Sequence, residues 1–222
     1  MENITLKESF FTRIWKTFTS CVKRNKTIIK ATALTFFGIL ITSILVTVFA
    51  FSINPGLSEW LKSLMQNEGS YVAIPPPYTS DLYFFIFLNN IGHFWNPVRM
   101  LVWVPLVGTF ELGFELLLNG VLIGALSAVV GIAKGISYPI LGVVPHGVVE
   151  IPAFILEFTS IIRWQVTITE AIMAKIIGDR VNVAKLKRGV KDTLILAVVS
   201  VTLFAIAAFI ETYITPRLLG LQ

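Results

Sequence analysis

The sequence predicts an all-α membrane protein: a bundle of about five transmembrane helices with its N-terminus on the inside. Apolar residues make up 55% of the 222 residues, and charged residues only 14%, whereas a soluble domain carries about 25% charged residues. The mean hydropathy is +0.78. The chain therefore lacks the polar surface that a water-soluble domain needs, and its long apolar runs are typical of polytopic membrane proteins.

Each predicted span is an apolar run long enough to cross the bilayer as a helix. Crossing about 30 Å of hydrocarbon takes roughly 20 residues at a rise of about 1.5 Å per residue. The runs of this length are residues 31–53, 82–110, 112–133, 138–162 and 193–214. Together they define a transmembrane domain over residues 31–216.

The orientation follows from the distribution of basic residues. Seven of the 18 Lys and Arg residues lie in residues 1–30, and seven more lie in residues 163–191. Short loops rich in Lys and Arg stay in the cytoplasm, and five spans place both segments on that side. We therefore predict a cytoplasmic N-terminal segment (1–30), a basic cytoplasmic loop (163–192) and a location in the cell membrane.

Residues 1–30 also have an amphipathic pattern. Phe11, Trp15, Phe18 and Val22 follow helical spacing, and basic residues occupy other positions of the same helix. This pattern predicts an amphipathic helix on the surface of an anionic leaflet. The alternative is an anchor that continues directly into the first span.

Ionisable residues are rare inside the predicted spans and are expected to face the interior of the bundle. On a continuous second helix Arg99 lies about 27 Å beyond Asp81, near the inner leaflet. Glu111 and Glu115 lie near the same face and are one helical turn apart. We predict an inner-leaflet ion pair between Arg99 and one of these glutamates, which fixes helix packing.

A second polar cluster is predicted nearer the outer face. His146 and Glu150 are four residues apart on the fourth span and share one side of a helix. Glu211 lies high on the fifth span, and Asn89 and Asn90 enter the second span from the same side. If the fourth helix begins at the proline before His146, these groups converge. If it begins near residue 138, His146 and Glu150 lie closer to the middle of the membrane, and the five groups converge less closely.

Three chemical interpretations of this cluster stay open. A metal site has three candidate ligands in His146, Glu150 and Glu211, but the sequence has only two histidines and no H-E-x-x-H pattern. A proton or ion relay is a second interpretation. Interhelical hydrogen bonding that stabilises the bundle is the leading one. No bound metal or other cofactor is expected.

Small residues on the third span predict close helix packing. Gly120 and Gly124 form a G-x-x-x-G motif that directly follows Asn119. Such a motif lets two helix backbones approach, either within the bundle or between two copies of the chain.

Four short elements carry a resemblance to a known family. In chain order they are Asn89-Asn90, Asn119-Gly120, Pro145-His146-Gly147-Val148-Val149-Glu150 and Ala207-Ala208-Phe209-Ile210-Glu211 with Thr215-Pro216. In this order and spacing the sequence resembles the stage II sporulation protein M family.

That resemblance implies an all-helical multi-pass membrane protein. The family's namesake acts in engulfment in spore-forming bacteria, as a membrane scaffold that recruits cell-wall hydrolases. The family also occurs in hosts that make no spores, so the name alone does not transfer a function. The family's defining positions correspond to Asn90, Asn119, His146, Glu150 and Glu211 in this chain.

The leading functional expectation is a multi-pass scaffold or anchor that organises partner proteins at the membrane and has no enzymatic activity. Its expected partners are the lipid bilayer, other proteins and a second copy of the chain, but not nucleic acid. The alternative is a small transporter or channel subunit with a His–Glu relay for protons or ions. A membrane-embedded, metal-dependent hydrolase is a third possibility.

Overall fold

The computed structural model describes residues 9–54, 56–57, 59 and 75–220. Besides the helical residues 56, 57 and 59, the described chain forms six α-helices and two 3₁₀ turns. The helices are α1 (Phe10–Ile53), α2 (Ser80–Asn90), α3 (Val107–Lys134), α4 (Ser137–Ile176), α5 (Val183–Tyr213) and α6 (Thr215–Leu218). The 3₁₀ turns are Gly92–Phe94 and Arg99–Trp103. These described residues contain no strand, which confirms the all-α class.

Four helical units among the described residues are long and apolar enough to cross a membrane: α1, α3, α4, and α5 together with α6. α1 has 44 residues and α4 has 40, so at helical rise they are about 66 and 60 Å long. The hydrocarbon core is only about 30 Å thick. Both helices therefore extend well beyond the apolar layer.

The basic N-terminal segment is not a separate interfacial helix. Its residues from Phe10 onwards belong to α1, which runs without a break into the first predicted span, whereas residues 1–8 lie outside the described part. The segment contacts α5 at one point, where Cys21, Arg24 and Asn25 meet Asp192, and its residues Phe10 to Trp15 are exposed. The Arg24 guanidinium donates to both carboxylate oxygens of Asp192, at 2.5 and 3.0 Å, and Asn25 donates to the same carboxylate at 3.2 Å.

The G-x-x-x-G motif of α3 is used inside the bundle, against α1. A Cβ at Gly120 would lie 2.8 Å from Cγ2 of Ile39, and one at Gly124 would lie 2.6 Å from the carbonyl oxygen of Leu40. Glycine is required at both positions because the two backbones approach this closely. Residue numbers rise together along the contact, so α1 and α3 run in the same direction.

α4 and α5 form an antiparallel hairpin. Near the connecting turn, Gly189 on α5 packs directly against Thr167 on α4. At the far end, His146 on α4 lies beside Thr215. Residues 163–192, predicted as a basic segment between spans that includes a helix, are largely helical, because α4 and α5 both continue into this segment and leave only a short turn between them.

α4 begins well before the P-H-G element. It starts at Ser137 and contains both Pro145 and Pro152, so His146 is not at a helix N-terminus. Proline inside a membrane helix is tolerated where neighbouring groups satisfy the freed backbone. This start fits the predicted fourth span, which begins at residue 138.

The second predicted span, residues 82–110, is not one helix. α2 ends at Asn90, and the two 3₁₀ turns carry the chain from there to Trp103. Pro97 has no backbone N–H for a helix. Gly92 packs against the side chain of Arg99, so a Cβ at this position would collide with the guanidinium.

This broken segment still runs from one end of the bundle towards the other. It begins where the backbone N–H of Tyr78 donates to the carbonyl of Thr212, at 3.3 Å. It ends where the indole N–H of Trp164 donates to the carbonyl of Trp103, at 2.9 Å. The segment therefore lies alongside α4 and runs in the same direction.

Candidate functional site

A cavity of about 650 Å³ lies between α2, α3 and α4. We call it the chamber. Apolar side chains such as Phe85, Ile123 and Phe154 line much of it. Its polar lining consists mainly of the residues singled out in the sequence, which are Asn89, Asn90, Asn119, His146, Glu150 and Glu211.

Three ionisable side chains meet at the chamber wall, and we call them the His146 cluster: His146, Glu150 and Glu211. One potential ligand atom from each lies within 4.8 Å of those of the other two. Nε2 of His146 is 3.6 Å from Oε2 of Glu150. The structure thus brings together the ionisable residues that the sequence places near the outer face.

Two polar neighbours hold this cluster in place. The Asn90 side-chain amide donates to Oε1 of Glu150 at 3.0 Å. On the other side, Nδ1 of His146 lies 3.4 Å from the hydroxyl oxygen of Thr215. Each contact engages the atom that faces away from the centre of the cluster, which leaves Nε2 of the imidazole and Oε2 of Glu150 facing each other.

Glu211 differs from its two partners. Its carboxylate makes no hydrogen bond or ion pair with any described residue, and it is partly buried beside Glu150. No Lys or Arg in the described part of the chain forms an ion pair with either carboxylate. The cluster therefore holds two acidic groups whose basic neighbour among the described residues is His146, with no Lys or Arg.

A second cluster lies deeper in the bundle and is centred on His93, in the first 3₁₀ turn. Nδ1 of His93 is 3.0 Å from Oε1 of Glu157, and Nε2 contacts Oε2 of Glu115. His93 and Glu157 are each only 1% exposed. With Arg99 these residues form the His93 cluster.

Arg99 completes this cluster and joins it to α2. Its Nε is 3.3 Å from Oε1 of Glu115, and its Nη1 donates to the carbonyl oxygen of Asn89 at 2.6 Å. A continuous helix would separate Asn89 from Arg99 by about 15 Å, so Arg99 lies closer to Asn89 than the predicted second helix would place it. Glu111, the other predicted partner, forms no ion pair with a described residue.

The asparagines predicted to take part lie between the two clusters. Asn90 bonds to Glu150 in one cluster, and the carbonyl of its neighbour Asn89 bonds to Arg99 in the other. Asn119 lines the chamber, and its amide donates to the carbonyl oxygen of Glu115 at 2.9 Å. Asn119 therefore faces the polar interior, whereas Gly120 faces α1.

His93 and the central role of Glu157 were missed by the sequence reasoning. His93 lies inside the second predicted span, so the rule that singled out the other intramembrane ionisable residues applied to it as well. Its partners cannot be deduced from helical spacing, because His93 lies in a 3₁₀ turn and contacts α3 and α4.

Comparison with known proteins adds three findings. The sequence profile of the family described as Stage II sporulation protein M matches residues 27–216. An uncharacterized protein of Methanocaldococcus jannaschii is 30% identical over 125 residues, which cover 53% of this chain and 66% of that protein, slightly under two thirds of its length. No solved structure matches.

The profile covers both clusters and the lining of the chamber except Leu219. The chain belongs to the stage II sporulation protein M family of integral membrane proteins.

Proposed function

We propose that this protein is a small transporter or channel subunit for a cation, with the chamber as its outer binding site. The observation that carries the proposal is that the buried ionisable residues form a series through the bundle. Isolated packing contacts do not require such a series. Charged groups inside a membrane protein usually line an ion or proton pathway.

The series has two halves that meet at α2. The outer half consists of His146, Glu150 and the side chain of Asn90. The inner half begins at the carbonyl of Asn89, one residue earlier, and continues through Arg99. From there it leads by way of Glu115 and His93 to Glu157.

The broken second segment supports the same function. Many transporters place their ion sites where a membrane helix is interrupted, because unwound backbone exposes polar groups there. Here the interruption follows Asn90 and supplies His93 and Arg99 to the inner cluster. We propose that this segment is the second of five crossings, with the N-terminus on the basic, cytoplasmic side.

The chamber favours transport over the scaffold role. Purely structural polar residues need only bond to neighbouring helices. A cavity of about 650 Å³ that reaches His146, Glu150 and Glu211 serves no purpose in such packing. Membership of this family does not exclude a metal-dependent hydrolase.

A scaffold is the second candidate, favoured by the basic end of the bundle. The first part of α1 and the turn-proximal parts of α4 and α5 extend beyond the apolar spans. The exposed basic residues on the α4–α5 hairpin are Lys175, Arg180, Lys185, Lys187, Arg188 and Lys191. A rigid basic stalk of this kind suits anionic lipid headgroups or an acidic partner protein.

Flux through reconstituted protein tests the transport proposal. The full chain is placed in vesicles of phosphatidylethanolamine and phosphatidylglycerol that contain a proton-sensitive or zinc-sensitive dye. We expect flux above that of empty vesicles, and a loss of about tenfold or more in Glu157→Gln, which keeps the side-chain shape. Glu170→Gln is the matched control, because Glu170 is exposed and pairs with Lys185 on the hairpin. Flux that equals that of empty vesicles would contradict transport of these ions.

A further inference from the structure

We propose that His146, Glu150 and Glu211 bind one divalent transition-metal ion of the zinc class at the chamber wall. This inference deepens the proposed function, since it names the cation that the chamber binds. It depends on the ligand geometry, the supporting contacts, the local charge and the contrast with the His93 cluster.

The three side chains are placed to share one metal ion. In a tetrahedral zinc site with bonds of about 2.0–2.1 Å, neighbouring ligand atoms are about 3.3 Å apart. Nε2 of His146 and Oε2 of Glu150 are already 3.6 Å apart. All three ligand atoms lie within 4.8 Å of one another, so a small rotation of the unpartnered Glu211 side chain closes the site. A zinc ion with three protein ligands keeps a fourth position for water or substrate.

The contacts around the cluster match those that support metal ligands. A metal-bound histidine usually engages its second ring nitrogen in a hydrogen bond, and a metal-bound carboxylate is hydrogen-bonded in turn. Here Nδ1 of His146 faces the hydroxyl of Thr215 at 3.4 Å, and Oε1 of Glu150 accepts from Asn90 at 3.0 Å. Both contacts leave the potential ligand atoms free to face the metal.

The negative charge of the two carboxylates also favours the binding of a cation. Glu150 and Glu211 lie together in a largely apolar wall, and neither forms an ion pair with a Lys or Arg of the described residues. Both side chains are half-buried, and two neighbouring carboxylates that are shielded from water repel each other unless a proton or a cation balances their charge. A divalent ion balances both.

The ligand types select the class of metal. Ca²⁺ and Mg²⁺ prefer ligand sets made of oxygen atoms, whereas imidazole suits zinc and its neighbours. The His93 cluster has similar residues but is not a candidate. Both ring nitrogens of His93 already face Glu115 and Glu157, and Arg99 pairs with Glu115.

Equilibrium zinc binding tests this proposal without any measurement of flux. The full chain is purified in detergent, stripped with a chelator and titrated with Zn²⁺ against a competing indicator dye. We expect one Zn²⁺ per chain, which excess Mg²⁺ or Ca²⁺ does not displace. Co²⁺ should bind in place of Zn²⁺ and give the visible absorption of a low-coordinate site.

Four variants locate the bound ion. His146→Ala and Glu211→Gln should each lower the Zn²⁺ affinity by about tenfold or more, and Asn90→Ala by about 10–100-fold through the orientation of Glu150. Glu170→Gln should leave the affinity unchanged. If His146→Ala fails to fold, Glu211→Gln carries the test, because it keeps the size and shape of the glutamate.

Two results would overturn the metal site: no stoichiometric Zn²⁺ binding, or an affinity that is the same in the wild type and in Glu211→Gln. Failure of the site and failure of the proposed function are distinguishable. A chain that binds Zn²⁺ but conducts no ions keeps the site and loses the transport function. A chain that conducts protons but binds no Zn²⁺ keeps the transport function and loses the metal site.

Discussion

The two buried histidine clusters use the same kinds of side chain and differ in what surrounds them. Each has one histidine and two glutamates. In the His93 cluster a guanidinium completes the set, and both ring nitrogens face carboxylates. In the His146 cluster no Lys or Arg of the described residues takes part, and Glu211 has no hydrogen-bond or ion-pair partner among them. The side chains of the His93 cluster therefore all have partners within the cluster, whereas the His146 cluster can still bind a ligand.

Charge balance explains this difference. Ionised carboxylates only accept hydrogen bonds, so a histidine between two of them donates from both nitrogens as the imidazolium. With Arg99, the His93 cluster then has two positive and two negative groups and is neutral. The His146 cluster has at most one positive group against two carboxylates. Buried charge is costly unless it is balanced, so we infer that the His93 cluster needs no bound ion, whereas the His146 cluster binds a cation.

The largest expected effect comes from removing each histidine in turn. His93→Ala leaves Glu157, only 1% exposed, without its partner, and should lower the free energy of unfolding by about 3–5 kcal/mol. His146→Ala should cost only about 1 kcal/mol, because Glu150 keeps its bond to Asn90 and water can enter the chamber. Detergent-induced unfolding followed by tryptophan fluorescence measures both values. Equal losses would remove the distinction between the clusters.

The next effect is stabilisation by metal. Zn²⁺ at about one hundred times its dissociation constant should raise the free energy of unfolding by about 2.7 kcal/mol. The increase should fall to about 1.4 kcal/mol or less in Glu211→Gln, whose affinity is lower by about tenfold or more, and should be unchanged in Glu115→Gln. The same unfolding experiment with and without Zn²⁺ measures both. The opposite pattern would place the metal in the His93 cluster.

The smallest effect concerns the glutamates in metal-free protein. Glu115→Gln removes charged hydrogen bonds to Arg99 and His93 and should cost about 1.5–3 kcal/mol. Glu211→Gln breaks no described bond and relieves repulsion with Glu150, so stability should change by less than about 1 kcal/mol or should rise. Thermal unfolding of the two variants in chelator checks this. A large loss in Glu211→Gln would show that this carboxylate already has a stabilising partner.

The sequence predicted the helical class and the main spans because both depend on hydropathy and length, which the bilayer dictates. Fixed helical spacing also indicated that His146 and Glu150 share one side of α4, where the structure places them. The partnership of Gly120 and Gly124 with α1, by contrast, required the structure, since a G-x-x-x-G motif does not specify which helix it contacts.

The second segment could not be predicted because hydropathy does not report backbone conformation. Apolar residues in 3₁₀ turns give the same signal as those in a helix, so residues 82–110 were interpreted as one span. That interpretation placed Arg99 about 15 Å from Asn89 and gave no indication of a partner for His93. Pro97 disfavours a continuous helix, but the path of the chain around it depends on contacts with α3 and α4.

X-ray absorption at the zinc edge tests the central claim most directly, because the chain has only two histidines. We predict a first shell of nitrogen and oxygen at about 2.0–2.1 Å, with the scattering pattern of one imidazole. That pattern should be lost in His146→Ala and retained in His93→Ala, or in His93→Gln if the alanine variant does not fold. Loss on substitution of His93 and retention on substitution of His146 would contradict the account.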